Sequence, residues 1–153
     1  MTQQIDPRGP RFTAAVTAVV LAVVLVTAPS AFATALIGVQ AALFGVGAVL
    51  GVQRTPHAWV FRTLVRPRLA PTDDWEDAAP PRFAQAVGFG FAAVGLVGFV
   101  ADLTALGLVA TGLALVAAVL NAIFRFCLGC EMYLLIRRLA SAGGHRRNAV
   151  PTN

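Results

Sequence analysis

The sequence predicts an all-α integral membrane protein: a four-helix bundle of two parallel helical-hairpin repeats, each followed by a short interfacial helix. Three observations support this fold class. First, 58% of the 153 residues are hydrophobic and 12% are charged, which is more apolar than a soluble domain of this size. Second, four long stretches contain no charged side chain. Third, the two halves of the chain resemble each other at an offset of 70 or 71 residues.

The uncharged stretches are long enough to cross a bilayer as helices. A helix rises about 1.5 Å per residue and the hydrocarbon layer is about 30 Å thick, so about 17 to 20 residues are needed. The predicted spans are residues 12–28, 31–52, 83–101 and 103–124. Pro29 and Ser30 separate the first two spans, and Asp102 separates the last two. We therefore expect two hairpins.

Basic residues lie on only one side of this arrangement. They precede the first span, fill the connection between the hairpins and follow the last span, whereas both short turns lack them. The positive-inside rule then places both termini in the cytoplasm, with the hairpins in the membrane. Beside a helix end, the basic tail containing Arg146 and Arg147 is expected to contact anionic lipid and not nucleic acid.

A cleaved signal peptide is an alternative interpretation of the first span. A basic start precedes it, and Ala31-Phe32-Ala33 has the small-x-small form of a cleavage site. Cleavage would leave a mature chain that starts inside the next apolar stretch. We therefore expect the first span to be retained.

The repeat organises the remaining segments. Pro10-Arg11-Phe12 returns as Pro81-Arg82-Phe83, and Ala48-Val49-Leu50 returns as Ala118-Val119-Leu120. Two hairpins that start on the same side would be parallel repeats about an axis along the membrane normal. The predicted units are the first repeat (1–70, interfacial helix 56–69), an acidic Pro-rich linker (71–81), the second repeat (82–140, extension 125–139) and a disordered basic tail (141–153).

Three further expectations concern helix packing, the order of the linker and a bend after the last span. Small residues at four-residue intervals, such as Ala110 and Ala114, predict close contact between helices. The linker composition predicts an exposed, poorly ordered connection with solvated carboxylates. A straight helix over residues 103–138 would be about 54 Å long, so we expect a bend, with Gly129 as its site.

The sequence contains one group with the potential for redox chemistry. The two cysteines form Phe126-Cys127-Leu128-Gly129-Cys130-Glu131 after the last span. Residues three apart share one face of a helix, so both sulfur atoms are expected on the same side. In a reducing compartment the pair should rest as thiols, available for exchange, sulfur transfer or metal binding. The alternative is that both side chains only pack.

Charged neighbours of the pair should modulate it in opposite directions. Glu131 opposes a thiolate at Cys127, whereas Arg125, or the start of a new helix at a bend, favours one. A zinc or iron–sulfur site needs four ligands and the pair supplies two. The repeat offers His57 as one more candidate ligand, because it stands 70 residues before Cys127. An ordinary interfacial role is the more frequent one for such a histidine, and the sequence identifies no cofactor.

Four segments of the chain carry a resemblance to a known family: Ile5-Asp6-Pro7-Arg8, Leu64-Val65-Arg66-Pro67-Arg68, Pro81-Arg82-Phe83-Ala84-Gln85 and the Phe-Cys-Leu-Gly-Cys-Glu box. With these segments the chain resembles domain-of-unknown-function family 4395 of small bacterial membrane proteins, which implies a location in the bacterial plasma membrane. Members of that family are often encoded beside thioredoxin-like and rhodanese-like proteins. The resemblance therefore implies thiol or sulfur redox work, with Cys127 and Cys130 as the matching residues.

The arrangement is also similar to the vitamin K epoxide reductase group, which has four helices and a cysteine pair on the last one. Those proteins relay electrons through a second pair, whereas this chain has two cysteines in total. Quinone chemistry is therefore disfavoured. No acidic residue lies within a span, which also argues against an ion-coupled transporter.

The leading functional hypothesis is a membrane protein of bacterial thiol or sulfur metabolism. In it, Cys127 and Cys130 react with a thioredoxin-like or rhodanese-like protein of the cytoplasm. The alternatives are a non-catalytic membrane scaffold, in which the cysteines only pack, and a small-molecule permease. The lipid bilayer is a partner in all three, and an oligomer is compatible with each.

Overall fold

A computed structural model describes residues 4–147, with side chains described from 4 to 141. The six helices in this part are α1 (Arg8–Thr27), α2 (Ala31–Leu50), α3 (Pro56–Val60), α4 (Ala79–Val100), α5 (Thr104–Phe124) and α6 (Leu128–Arg147). The two-residue strands β1 (Gln4–Ile5) and β2 (Glu76–Asp77) form an antiparallel pair. Helices α1, α2, α4 and α5 are long and apolar enough to cross a membrane. The all-α class is confirmed, and the chain is a multi-pass membrane protein.

The four long helices form one bundle in which α2 packs on α4 and α1 packs on α5. Leu21, Val24 and Ile37 are completely buried at its centre. The outward faces are equally apolar, and Val26 and Val100, for example, are 85% and 68% exposed. Within a bilayer such side chains contact lipid, since a helix satisfies its own backbone hydrogen bonds.

The two ends of the bundle differ in structure. The helices turn back through residues 28–30 and 101–103 at one end, which we call the turn end. The other end carries the starts of α1 and α4, the ends of α2 and α5, both strands, α3 and the start of α6. We call it the loop end. No arginine lies in either short turn.

Both halves begin their first helix in the same way. The Oδ1 atom of Asp6 accepts the backbone N–H of Arg8, and the Oδ1 atom of Asp77 accepts that of Ala79, both at 3.0 Å. These aspartates are 71 residues apart, and each follows or ends one of the two paired strands. This equivalence supports the duplication, which stays a prediction.

Glycines permit the closest helix contacts. A Cβ atom on Gly98 would lie 2.5 Å from the backbone nitrogen of Gly107, so α4 and α5 touch backbone to backbone there. Ala110 and Ala114 are buried on the same side of α5, as expected for small residues at a helix contact. Deeper in the bundle, the Nε2 atom of Gln40 donates to the Oγ1 atom of Thr17 at 3.4 Å.

The connections differ from the sequence expectations in three places. The linker 71–81 is exposed over much of its length, but its second half is ordered. Glu76 and Asp77 pair with the N-terminal strand as β2, and the last linker residues already belong to α4. The interfacial segment after α2 starts as α3 and continues as a π-helical turn (Phe61–Val65) and a 3-10 turn (Arg66–Arg68).

The third difference concerns the end of the chain. The tail expected to be disordered (141–153) starts inside α6, which runs to Arg147. Alanine at positions 140 and 142 favours continuation of a helix. Residues 148–153 lie outside the described part.

Candidate functional site

The cysteine box lies at the junction of α5 and α6. Helix α5 ends at Phe124, and Arg125 adopts a left-handed conformation (φ 57°). The backbone N–H groups of Arg125 and Phe126 both donate to the carbonyl of Leu120, which terminates the helix. The chain therefore bends at residues 125–127. The expectation of a bend at Gly129 is wrong, because that residue already belongs to α6.

Cys127 stands at the N-cap of α6. Its carbonyl accepts the backbone N–H of Glu131 at 3.0 Å, which is the first bond of the new helix. Its Sγ atom accepts the backbone N–H of Cys130 at 3.3 Å. A side-chain acceptor at the N-cap satisfies an amide that otherwise has no partner within the helix. The first cysteine is therefore the capping residue, and the second lies in the first turn.

The two sulfur atoms are bonded in the structure, and the Cα atoms of Cys127 and Cys130 are 5.2 Å apart. This separation lies in the ordinary range for disulfides, about 4.4–6.8 Å. The structure thus holds the oxidised form, whereas the reducing state of the cytoplasm predicts resting thiols. Both side chains are half-buried, so the pair lies at the surface with part of each residue accessible.

Helix α6 is anchored beside the start of α4 by the residue between the cysteines. Gly129 is buried, and a Cβ atom on it would lie 2.6 Å from the Cα atom and 2.7 Å from the Cβ atom of Ala84. One turn later, the rings of Tyr133 and Phe83 lie 5.8 Å apart between centroids. These contacts fix the first turn of α6, and with it the disulfide, against the bundle.

The predicted charged modulators are both exposed at this junction. Arg125 terminates α5, and Glu131 contributes its backbone N–H to the capping turn. Neither side chain makes a hydrogen bond or ion pair among the described residues. Arg137, farther along α6, lies over the ring of Tyr133 at 6.0 Å. Besides the disulfide bond itself, the Sγ atom of Cys127 accepts a hydrogen bond from a backbone N–H group and not from a charged side chain.

His57 is in α3, which packs against α1, whereas α6 packs against α4. Burial lowers the pKa of His57, so the neutral imidazole is favoured. Among the described residues there is no group of three His, Cys, Asp or Glu side chains that could hold a metal ion. His57 is therefore not brought into such a group with Cys127 and Cys130.

Two features of the loop end were not found from the sequence. The first is the close contact of Gly129 with Ala84. The sequence shows only that a small residue stands between the cysteines. The second is Arg82, whose guanidinium donates to the carbonyls of Ala48 and Val49 at 2.6 and 2.7 Å. Arg82 thus caps the C-terminal end of α2. The repeated Pro-Arg-Phe segment pointed to its position but not to its partner.

Comparisons with known proteins identify one family. No curated protein and no solved structure matches the chain. One family model, described as Domain of unknown function (DUF4395), matches residues 5–138, which include all four spans and both cysteines. The chain therefore belongs to the DUF4395 family.

Proposed function

We propose that this protein is a thiol–disulfide exchange component of the bacterial plasma membrane. Cys127 and Cys130 cycle between dithiol and disulfide with a thioredoxin-like or rhodanese-like protein of the cytoplasm. The observation that carries the proposal is the position of Cys127 at the N-cap of α6, with its Sγ atom accepting the N–H of Cys130. A packing role alone does not require a sulfur atom at a cap.

The N-cap position favours the reactive form of the first cysteine. The amide groups at the start of a helix carry a partial positive charge, and α6 has 20 residues. A thiolate at Cys127 is therefore stabilised by the amide of Cys130 and by the helix dipole, whereas the neutral thiol gains less. The exposed guanidinium of Arg125 adds to this effect, and the exposed carboxylate of Glu131 opposes it.

In the exchange reaction, electrons and protons pass from the two cysteines to the partner disulfide. The Cys127 thiolate attacks one sulfur of a partner disulfide, forms a mixed disulfide and releases the partner's other sulfur as a thiolate. Cys130 loses its proton and attacks the Sγ atom of Cys127, which closes the internal disulfide and releases the second partner thiolate. The partner gains two electrons and two protons, and the membrane pair loses them.

A rhodanese-like partner would use the same two sulfur atoms. The Cys127 thiolate takes the outer sulfur of a partner persulfide and releases the partner thiolate. Cys130 then attacks the Sγ atom of Cys127, forms the disulfide and releases hydrosulfide. In both cases a dithiol protein of the thioredoxin class has to reduce the pair again.

The surroundings of the pair suit a protein partner. Phe126 and Leu128, on either side of Cys127, are 44% and 39% exposed. An apolar rim around a disulfide offers a contact surface for a second protein. The distribution of arginines supports a cytoplasmic location for this rim by the positive-inside rule.

The experiment uses the two cysteines as controls for each other. The Cys130→Ser variant should accumulate a mixed disulfide with an oxidised thioredoxin-like protein, because the resolving thiol is missing. The Cys127→Ser variant should form much less, because the capping thiolate is missing. Equal trapping by both variants, or by neither, would count against the proposal. Unchanged sulfur-dependent growth of both variants at normal protein level would favour the scaffold.

Sidedness is measured separately. After mild reduction, an impermeant maleimide should label the cysteines in inverted membrane vesicles and spare them in intact cells. Labelling from outside the cell would reverse the proposed orientation.

A further inference from the structure

A second feature of the loop end is a cavity of about 450 Å³ beside the end of α2. Its lining includes Arg54, Trp59 and Arg62, with Leu50 on the side of the membrane span. We call it the arginine cavity. The 3-10 turn that ends at Arg54 and the helical segment that follows Thr55 bring the two arginines to the same cavity.

The two arginines of the cavity are not neutralised. Both side chains are exposed, and neither guanidinium has an ion pair or hydrogen bond among the described residues. Two unpaired positive charges that line one cavity attract an anion. Guanidinium groups bind phosphate oxygens through paired N–H donors, so phosphate is a ligand of the right shape and charge.

We propose that the arginine cavity binds the phosphate headgroup of an anionic phospholipid from the same leaflet. Leu50, the last residue of α2, is 52% exposed at the cavity, and the adjacent Val49 is 70% exposed. These side chains offer an apolar wall to an acyl chain, which a free phosphate would not use. Trp59 is 58% exposed, as is typical of tryptophan at the headgroup level.

The negative end of the α2 dipole would by itself repel an anion. Arg82 offsets this repulsion, because its guanidinium already donates hydrogen bonds to the carbonyls of Ala48 and Val49. The positive charge of Arg82 offsets the partial negative charge of the helix end. The charge of Arg54 and Arg62 therefore stays available for a ligand.

The second half of the chain has no counterpart of this cavity chemistry. At the offset of 70 residues, Arg54, Trp59 and Arg62 correspond to Phe124, Gly129 and Met132. Neither arginine nor the tryptophan is repeated. The headgroup site thus belongs to the first half and the cysteine pair to the second, and each proposal stands without the other.

Trp59 provides a direct reporter of lipid in the cavity. The chain has two tryptophans, so Trp75→Phe leaves Trp59 as the only one. This protein is reconstituted in phosphatidylcholine vesicles that contain a small fraction of brominated phosphatidylglycerol or of brominated phosphatidylcholine. The brominated anionic lipid should quench Trp59 more strongly, with an apparent association constant at least about fivefold higher.

Single substitutions test whether the preference for the anionic lipid depends on the arginines of the cavity. Arg54→Gln and Arg62→Gln should each reduce it about fivefold, since one cation near the surface contributes about that factor. Arg138→Gln in α6 makes the same change in charge outside the cavity and should leave the preference unchanged. Excess inorganic phosphate should not relieve the quenching.

Several results would overturn the proposal. These are equal quenching by both lipids, an unchanged preference in both cavity variants, and an equal loss in Arg138→Gln, which would indicate general surface charge. Relief of quenching by inorganic phosphate would assign the cavity to a free anion. Should a glutamine variant not fold, a salt titration of the parent protein decides. The preference for the anionic lipid must fall as ionic strength rises, and a preference that does not depend on salt refutes the proposal.

Discussion

Replacement of Gly129 by alanine tests whether the start of α6 is pressed against α4. In an isolated helix this change is stabilising, because alanine has a helix propensity up to about 1 kcal/mol better than glycine. In this structure the added Cβ would lie 2.6 Å from the Cα atom of Ala84. Ordinary carbon contacts are about 3.5–4.0 Å, so the two backbones must separate by about 1 Å.

The cost of overpacking decides whether Gly129→Ala raises or lowers the stability of the protein. Forcing one extra carbon into a filled contact costs about 1–3 kcal/mol, which exceeds the gain in propensity or at least cancels it. The melting temperature of the Gly129→Ala variant in detergent should therefore stay level or fall, by about 2–4 °C for each kcal/mol of net loss. In the reduced protein, alkylation of Cys130 should also become faster, since the first turn of α6 moves away from α4.

Gly112→Ala is the matched control. A Cβ atom on Gly112, in the interior of α5, has no neighbour within 4 Å. That variant should melt at the same temperature as the parent protein or slightly higher. Should Gly129→Ala gain as much stability as Gly112→Ala, the contact of α6 with α4 would be refuted.

Three other substitutions test the packing of α4 on α5 and the titratable groups of the loop end. Gly98→Leu should lower the melting temperature by several degrees, because its Cβ would lie 2.5 Å from a backbone nitrogen of α5, whereas Gly90→Leu, with open space, should not. Burial raises the pKa of Asp6, but hydrogen bonds from Arg8 outweigh this and hold it below 3.8. The stability that Asp6 contributes is therefore present at neutral pH and is lost as pH falls through the lowered folded pKa. Asp6→Asn keeps an oxygen acceptor but loses the ion pair with Arg8, so it should lose up to about 1 kcal/mol at neutral pH and should weaken the fall in melting temperature at acid pH. Burial lowers the pKa of His57 from 6.5, so protonation opposes folding as pH falls below that value, and His57→Gln should remove this part of the pH dependence of melting.

The transmembrane helices were predictable because lipid imposes a simple rule on them. A span has to satisfy its backbone internally and carry no charge, and both requirements are visible as uncharged stretches of sufficient length. Pro29 and Asp102 mark the turns for the same reason, since each is disfavoured inside a span. The sequence does not show in the same direct way which helices pack against each other or through which faces. The contact of Gly98 with Gly107 depends on which faces meet, and the regular alanine pattern did not identify it.

The cysteine site was predictable in composition but not in geometry. Residues 125–131 carry no proline or other strong signal that ends a helix, and Gly129 was the only candidate for a bend. The helix ends earlier because Arg125 adopts a left-handed conformation and the following amides return to Leu120. Gly129 is needed instead for close packing on α4. The distinction between a glycine that bends and one that permits contact requires the neighbouring helix.

A threonine in the first half makes the same kind of helix cap as Cys127. Thr55 is the N-cap of α3, and its Oγ1 atom accepts the backbone N–H of Ala58 at 3.2 Å. Cys127 does the same with the N–H of Cys130 at 3.3 Å. Both acceptors serve the amide three residues later. The cysteine therefore has a capping role as well as its proposed chemistry.

This dual role separates folding from redox function experimentally. Under reducing conditions, Cys127→Ser should melt at the temperature of the parent protein or above, because serine is a good N-cap residue. Cys127→Ala leaves the amide of Cys130 without its acceptor and should lose about 1 kcal/mol. Equal stability of both variants would show that the sulfur does not cap α6, and would remove the geometric reason for a stabilised thiolate at Cys127. A loss of exchange in the stable serine variant, in contrast, reports on chemistry alone.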